Sequence, residues 1–129
     1  MTTSQNTQQE IFRFIATGLT AVATDFGSYL FMLDIVSADI AKGSSFILGS
    51  VVAYFMNKIW TFGNNEAVKS TLVHFILLYS LTFMANVAVN HISLIYISEL
   101  MVIGFILATA TSTILNFIGM KFWVFSKKQ

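Results

Sequence analysis

The chain contains no cysteine and no proline, and charged residues make up only 10% of it. Without cysteine there are no disulfides, no thiolate metal ligands and no cysteine nucleophile, and the redox compartment stays open. Without proline, no helix is forced to break. The few charges nearly cancel. Seven Lys and Arg against six Asp and Glu leave a net charge of +1, which supplies neither a nucleic-acid-binding basic face nor an acidic tail. Apolar residues are what the chain has in excess, at 56% of 129; an ordinary soluble domain carries about 45–50% apolar and about 25% charged residues. Length allows one domain, and such a domain has more apolar surface than its own core can absorb. The composition describes a small polytopic membrane protein.

Residues Met1 to Glu10 are polar and lack the basic n-region and cleavage site of a signal peptide, so they are expected to form a short disordered tail. Four long apolar stretches follow, at about residues 11–33, 44–62, 71–96 and 100–125. Each reaches the roughly 20 residues that cross about 30 Å of hydrocarbon at 1.5 Å per residue. Polar connections separate them at Asp34 to Gly43, at Gly63 to Ser70 and around Ser98-Glu99, and residues 126–129 form a second short tail. Arg13, Lys58, Lys69, Lys121, Lys127 and Lys128 then fall on one side and only Lys42 on the other. By the positive-inside rule both termini and the 63–70 loop are cytoplasmic.

The chain repeats itself. Lys58-Ile59-Trp60-Thr61-Phe62 closes the second stretch and Lys121-Phe122-Trp123-Val124-Phe125 the fourth, at an offset of 63. At that offset Ala41, Ser45, Gly49, Ala53 and Asn57 align with Gly104, Ala108, Ser112, Asn116 and Met120. Both are i, i+4 stripes of mostly small residues, with Gly49, Ala53, Ala108 and Ser112 at their centres, and such stripes let helix backbones approach in lipid. At an offset of 61, Arg13-Phe14 aligns with His74-Phe75 and Asp25 with Asn86. The expected fold is an all-α membrane protein of four transmembrane helices, built as two helical hairpins in the same orientation. Parallel repeats of this kind occur among transporters.

Arg13-Phe14, Gly18 and Asp25, followed by Asn57 to Phe62 and Asn116 to Phe125, resemble the GtrA family over about residues 11–125. The resemblance implies a small four-helix protein of the bacterial cytoplasmic membrane that serves cell-surface polysaccharide synthesis. It implies translocation of a polyprenyl-phosphate-linked monosaccharide, such as undecaprenyl-phosphate glucose, delivered by a membrane glycosyltransferase. One departure is Ala21-Val22, where many family members carry Asn-Thr.

Asp25 lies twelve residues past Arg13, roughly 18 Å into the bilayer by helical rise. An acid near a helix centre costs about 2.5–3.5 kcal/mol on insertion scales, so it is expected to face a bundle interior or a wet cavity. Its bland role is a structural carboxyl bonded to Asn86 or to a threonine. Asn86, at the equivalent depth, completes a polar waist or simply bonds across helices; Asn57 and Asn116 lie toward the cytoplasmic side, below it. Arg13, Lys58 and Lys121 stand at the cytoplasmic interface and suit a lipid phosphate, although snorkelling alone accounts for their positions. Trp60 and Trp123 read as interface anchors.

No cofactor or metal is expected, because His74 and His91 fall near opposite faces. With no paired carboxylates at one depth, no His-Asp pair beside a serine and no Gly-rich phosphate loop, an enzyme is not expected either. Four helices enclose little volume, so a homo-oligomer is expected. Two rival functions remain open. One is a non-transporting anchor for a glycosyltransferase. The other is a small proton-coupled multidrug exporter, which Asp25 suits but the repeated Lys-x-Trp-x-Phe endings do not.

Overall fold

The computed structural model describes residues 3–97 and 101–126. Four helices follow one another: α1 at Thr3–Leu33, α2 at Ala38–Met56, α3 at Val68–Tyr96 and α4 at Met101–Gly119. α2 and α4 each run directly into a five-residue π-helical turn, π1 at Asn57–Thr61 and π2 at Met120–Val124. The chain divides after Asn65 into two compact units. Within the first, α1 packs on α2 and π1; within the second, α3 packs on α4 and π2. These are the two hairpins that the sequence predicts.

Several boundaries differ from expectation. α1 starts at Thr3, so residues 3–10, expected as a tail, form its opening turns. That stretch holds no glycine or proline and is rich in Gln and Glu, which are good helix formers. α2 starts at Ala38 because Ser37 adopts an extended conformation at its N-cap and its carbonyl accepts from the Ala41 N–H at 2.9 Å. The connection thereby contracts to Asp34–Ser37, turned by the Ile35 and Val36 N–H groups, both bonded to the Met32 carbonyl at 2.9 Å. The expected connection at Ser98-Glu99 and the tail lysines Lys127 and Lys128 lie outside the described residues.

The lipid-facing surface is read from what the helices leave uncovered. Asn6–Leu33 and Val68–Tyr96 are each long and apolar enough to cross a membrane, yet only 11% and 17% of their most apolar windows are buried. The core helix of a soluble protein is mostly covered. Here Phe12, Leu19, Phe26, Phe31, Phe83 and Met84 point outward instead, as suits helices of spanning length set in hydrocarbon. This is an all-α membrane protein.

Inside each hairpin the small-residue stripes face the partner helix. Ala41, Ser45, Gly49, Ala53 and Asn57 are buried against α1, and Gly104 and Ala108 are buried in the second hairpin. At Gly49 the two backbones come close together. A Cβ built there would sit 2.9 Å from the Ala21 carbonyl oxygen and 3.0 Å from the Asp25 Cβ.

Both hairpins end alike. The Phe62 N–H bonds the Asn57 carbonyl at 2.9 Å, and the Phe125 N–H bonds the Met120 carbonyl at 2.8 Å. Each is a wide, five-residue-spaced bond characteristic of a π turn. In both, the tryptophan stays out (Trp60 40% and Trp123 41% exposed) while the closing phenylalanine goes in (Phe62 5%, Phe125 1%). Gly63 then takes a φ of +55°, a left-handed conformation that glycine adopts without strain. It folds the chain back so that the Asn64 N–H reaches the Lys58 carbonyl at 2.7 Å.

Candidate functional site

Asp25 sits half-buried on α1, and the Ser45 hydroxyl donates to its Oδ1 at 2.6 Å. Ser45 is fully buried and lies one helical turn before Gly49, so the close approach that Gly49 permits brings the hydroxyl within reach. Along the same stretch of α1, Thr20, Thr24 and Ser28 each return their hydroxyls to the carbonyl four residues earlier, at 2.8, 2.9 and 2.6 Å. Their donors are thereby satisfied at low cost inside an apolar environment.

The second hairpin meets the same requirement with different residues. The Asn86 carboxamide donates to the Ser112 Oγ at 3.0 Å, and the Thr82 hydroxyl donates to the Asn116 Oδ1 at 2.7 Å. Asn86 is the repeat counterpart of Asp25, and Ser112 that of Gly49. One hairpin closes the gap between its helices with a missing side chain, and the other spans it with a hydroxyl. Such bonds in membrane helices contribute about 0.6 kcal/mol each.

At the π-turn end, Arg13 donates from Nη1 to the Trp60 carbonyl at 3.0 Å, with its guanidinium 5.7 Å from the centre of the Trp60 ring. The repeat counterparts also meet: the His74 and Trp123 rings contact edge to face with centroids 5.3 Å apart. His74 is oriented by its Nδ1, which lies 2.9 Å from the Ser70 carbonyl. Cation or imidazole on one helix and tryptophan on the next therefore form a repeated clasp.

The two lysines have diverged. Lys58, expected at the interface as a phosphate ligand, is only 5% exposed, and its ammonium donates to the Asn64 carbonyl at 3.0 Å and to the Asn64 Oδ1 at 2.9 Å. Lys121 is half-buried, with its Nζ 5.9 Å from the Phe117 ring centre and 5.7 Å from that of Phe122. Cation–π contacts of this kind contribute about 0.5–1 kcal/mol each near a surface.

Asn57 is the anomaly. It is 2% exposed, and its Oδ1 has no hydrogen-bond partner among the described residues. Leaving a buried carbonyl unsatisfied costs about 1–3 kcal/mol. At the other end of the same π turn, the Thr61 hydroxyl pairs with that of Thr17 at 3.3 Å, both almost fully buried.

The structure thus pairs Asp25 with Ser45 and places Asn57 and Lys58 at the foot of the first hairpin. It pairs Asn86 with Ser112 and Asn116 with Thr82 in the second. In the sequence Ser45 stands only as one member of a small-residue stripe, and Thr17, Thr61, Asn64 and Thr82 carry no distinct role. Thr17 had a signal, since 17, 21 and 25 share one helical face. Asn64 had none, because its reach depends on the turn at Gly63.

A family model described as the GtrA/DPMS transmembrane domain matches residues 13–125. The chain belongs to the GtrA/DPMS transmembrane family. No solved structure matches it. The family is associated with lipid-linked sugars and membrane glycosyltransferases. The matched GtrA/DPMS region opens on Arg13 and closes on Phe125, so both clasps and both π turns fall inside it. Chemically, this GtrA/DPMS chain offers hydrogen-bonding groups spaced along its helices and an acid, Asp25, within the apolar span Asn6–Leu33.

Proposed function

We propose that the protein translocates a polyprenyl-phosphate-linked monosaccharide across the bacterial cytoplasmic membrane, without making or breaking a covalent bond. The observation that carries this reading is the polar series along one helix of the first hairpin: Arg13 at the clasp, Thr17 deeper beside Thr61, and Asp25 bonded to Ser45. Within a family tied to lipid-linked sugars, that series supports stepwise passage of a sugar-phosphate head while the prenyl tail stays in lipid. Arg13 in the first hairpin and Lys121 in the second each offer a cation to a lipid phosphate in the cytoplasmic leaflet, where the positive-inside bias puts them. Lys58 instead anchors the loop to Asn64. A second copy of the chain completes the path, because four helices enclose little volume.

The test is a vesicle assay following labelled undecaprenyl-phosphate glucose across membranes that contain only this protein. Transport is expected for the wild type and strongly reduced for Asp25→Asn, which keeps volume and an acceptor for Ser45 but removes the ionisable acid. Insertion and thermal stability of that variant should stay close to wild type. One observation favours a second reading: Asp25, Asn86 and Asn116 all find partners inside their own hairpins, as a scaffold requires. A protein that moves no lipid but binds a polyprenyl-phosphate glycosyltransferase tightly is an anchor for that enzyme.

A further inference from the structure

The repeat allows each polar residue at the foot of the first hairpin to be compared with its counterpart in the second. Thr17, Asn57 and Thr61 correspond to Leu78, Met120 and Val124. All six are buried, at 0, 2 and 3% exposure in the first hairpin and 6, 0 and 4% in the second. The two π turns share one backbone bond pattern and differ in what fills them. The second hairpin shows that this backbone is satisfied by a purely apolar filling. The polar filling of the first is therefore not a requirement of the turn. It is also incomplete, since the Asn57 Oδ1 is buried without a hydrogen-bond partner among the described residues. A buried acceptor left wanting a donor, where an apolar side chain would fit, points to a group that arrives from outside the chain.

We infer that Asn57, together with Thr61 of the same π turn and the Thr17 hydroxyl paired to it, is a subsite that recognises a sugar hydroxyl of the lipid-linked substrate, and that the first hairpin alone carries it. The inference rests on the proposed transport of a lipid-linked sugar and deepens it by assigning the part of the site that reads the sugar. A carboxamide oxygen accepts from a hydroxyl, and a threonine hydroxyl both donates and accepts, so the set matches a polyol and not an anion. The phosphate has a cation close by in Arg13, whose guanidinium bonds the Trp60 carbonyl within the same turn. Sugar and phosphate groups of one head group are thus met by neighbouring parts of one hairpin. Because Asn57 is closed off in this conformation, the hydroxyl reaches it when π1 relaxes. A π turn holds one residue more than an α-helical turn, and such turns recur at functional sites.

The test is binding of undecaprenyl phosphate, bare or carrying glucose, galactose or mannose, to the full-length protein in nanodiscs. The wild type should bind at least one sugar-bearing lipid roughly five- to tenfold more tightly than the bare phosphate, the increment of about one hydrogen bond. Asn57→Met, which installs the second hairpin's own residue, should abolish that increment, leave affinity for the bare lipid unchanged and raise thermal stability. Thr17→Val should reduce the increment without abolishing it, and Met120→Leu should leave it intact. If Asn57→Met and Thr17→Val both fold and keep the full preference, Asn57 holds a structural water only and the inference is overturned, while transport stands. If the wild type binds bare and sugar-bearing lipids equally, the subsite is likewise refuted. A wild type that binds none of these lipids overturns the transport proposal itself.

Discussion

Replacing Gly49 with alanine adds one carbon at a point where α1 and α2 come close together. The new Cβ would lie 2.9 Å from the Ala21 carbonyl oxygen and 3.0 Å from the Asp25 Cβ, whereas carbon atoms settle at about 3.5–4.0 Å. The nearest obstacle is backbone and cannot rotate aside, so the helices must part locally by roughly 0.5–1 Å. Overpacking of this kind costs about 1–3 kcal/mol. It also acts one turn away: the 2.6 Å bond from Ser45 to Asp25 would lengthen toward the limit of a hydrogen bond, loosening the acid from α2. Gly27 is the internal control, because a Cβ there meets nothing within 4 Å, and Gly27→Ala should change stability by less than about 0.5 kcal/mol. Thermal unfolding of the two variants in one detergent separates them. Equal midpoints for Gly49→Ala and Gly27→Ala would refute the close-approach argument. The larger Gly49→Leu should be worse than Gly49→Ala, and Ser112→Leu should destabilise too, by filling the space bridged to Asn86.

The lysines should separate by function. Lys58→Gln should speed hydrogen exchange in residues 62–65, because the ammonium that holds Asn64 is lost, whereas Lys121→Gln should leave that exchange unchanged and weaken binding of undecaprenyl phosphate severalfold. Wild-type lipid affinity in the Lys121 variant would remove it from the phosphate site. For topology, cysteines placed singly at Asn65 and Ser37 should label from opposite sides of intact cells, with Asn65 inside. Labelling of both from outside would overturn the orientation and the phosphate capture that depends on it.

What could be read from the residues was what depends on periodicity and composition. The four spans, the pairing into hairpins and the inward-facing stripes from Ala41 to Asn57 follow from apolar length and i, i+4 spacing. The repeat was legible because Trp60 and Trp123, and Phe62 and Phe125, keep their places. The π turns were not legible. They arise from a shift in backbone bonding at Asn57 and Met120, and residues so different carry no common signal for it. Nor could the partner of Asp25 be chosen, since Ser45 stands in a stripe of small residues and its hydroxyl becomes relevant only once Gly49 sets the helix separation. The fate of Lys58 depended on Gly63, whose positive φ brings Asn64 back to the ammonium. A lysine two residues before a tryptophan looks the same in both repeats, and the loop beyond distinguishes them.

The pairing of Asp25 with Ser45 has a consequence for how the protein is made. The two residues are separated by 20 positions, so at about 5–20 residues per second the ribosome supplies the serine roughly one to four seconds after the acid. During that interval α1 carries Asp25 without its bond to Ser45, and passage of the helix into lipid is less favourable alone than with α2. The first hairpin is therefore expected to enter the bilayer as a pair of helices, with this contact formed while the second hairpin is still being synthesised.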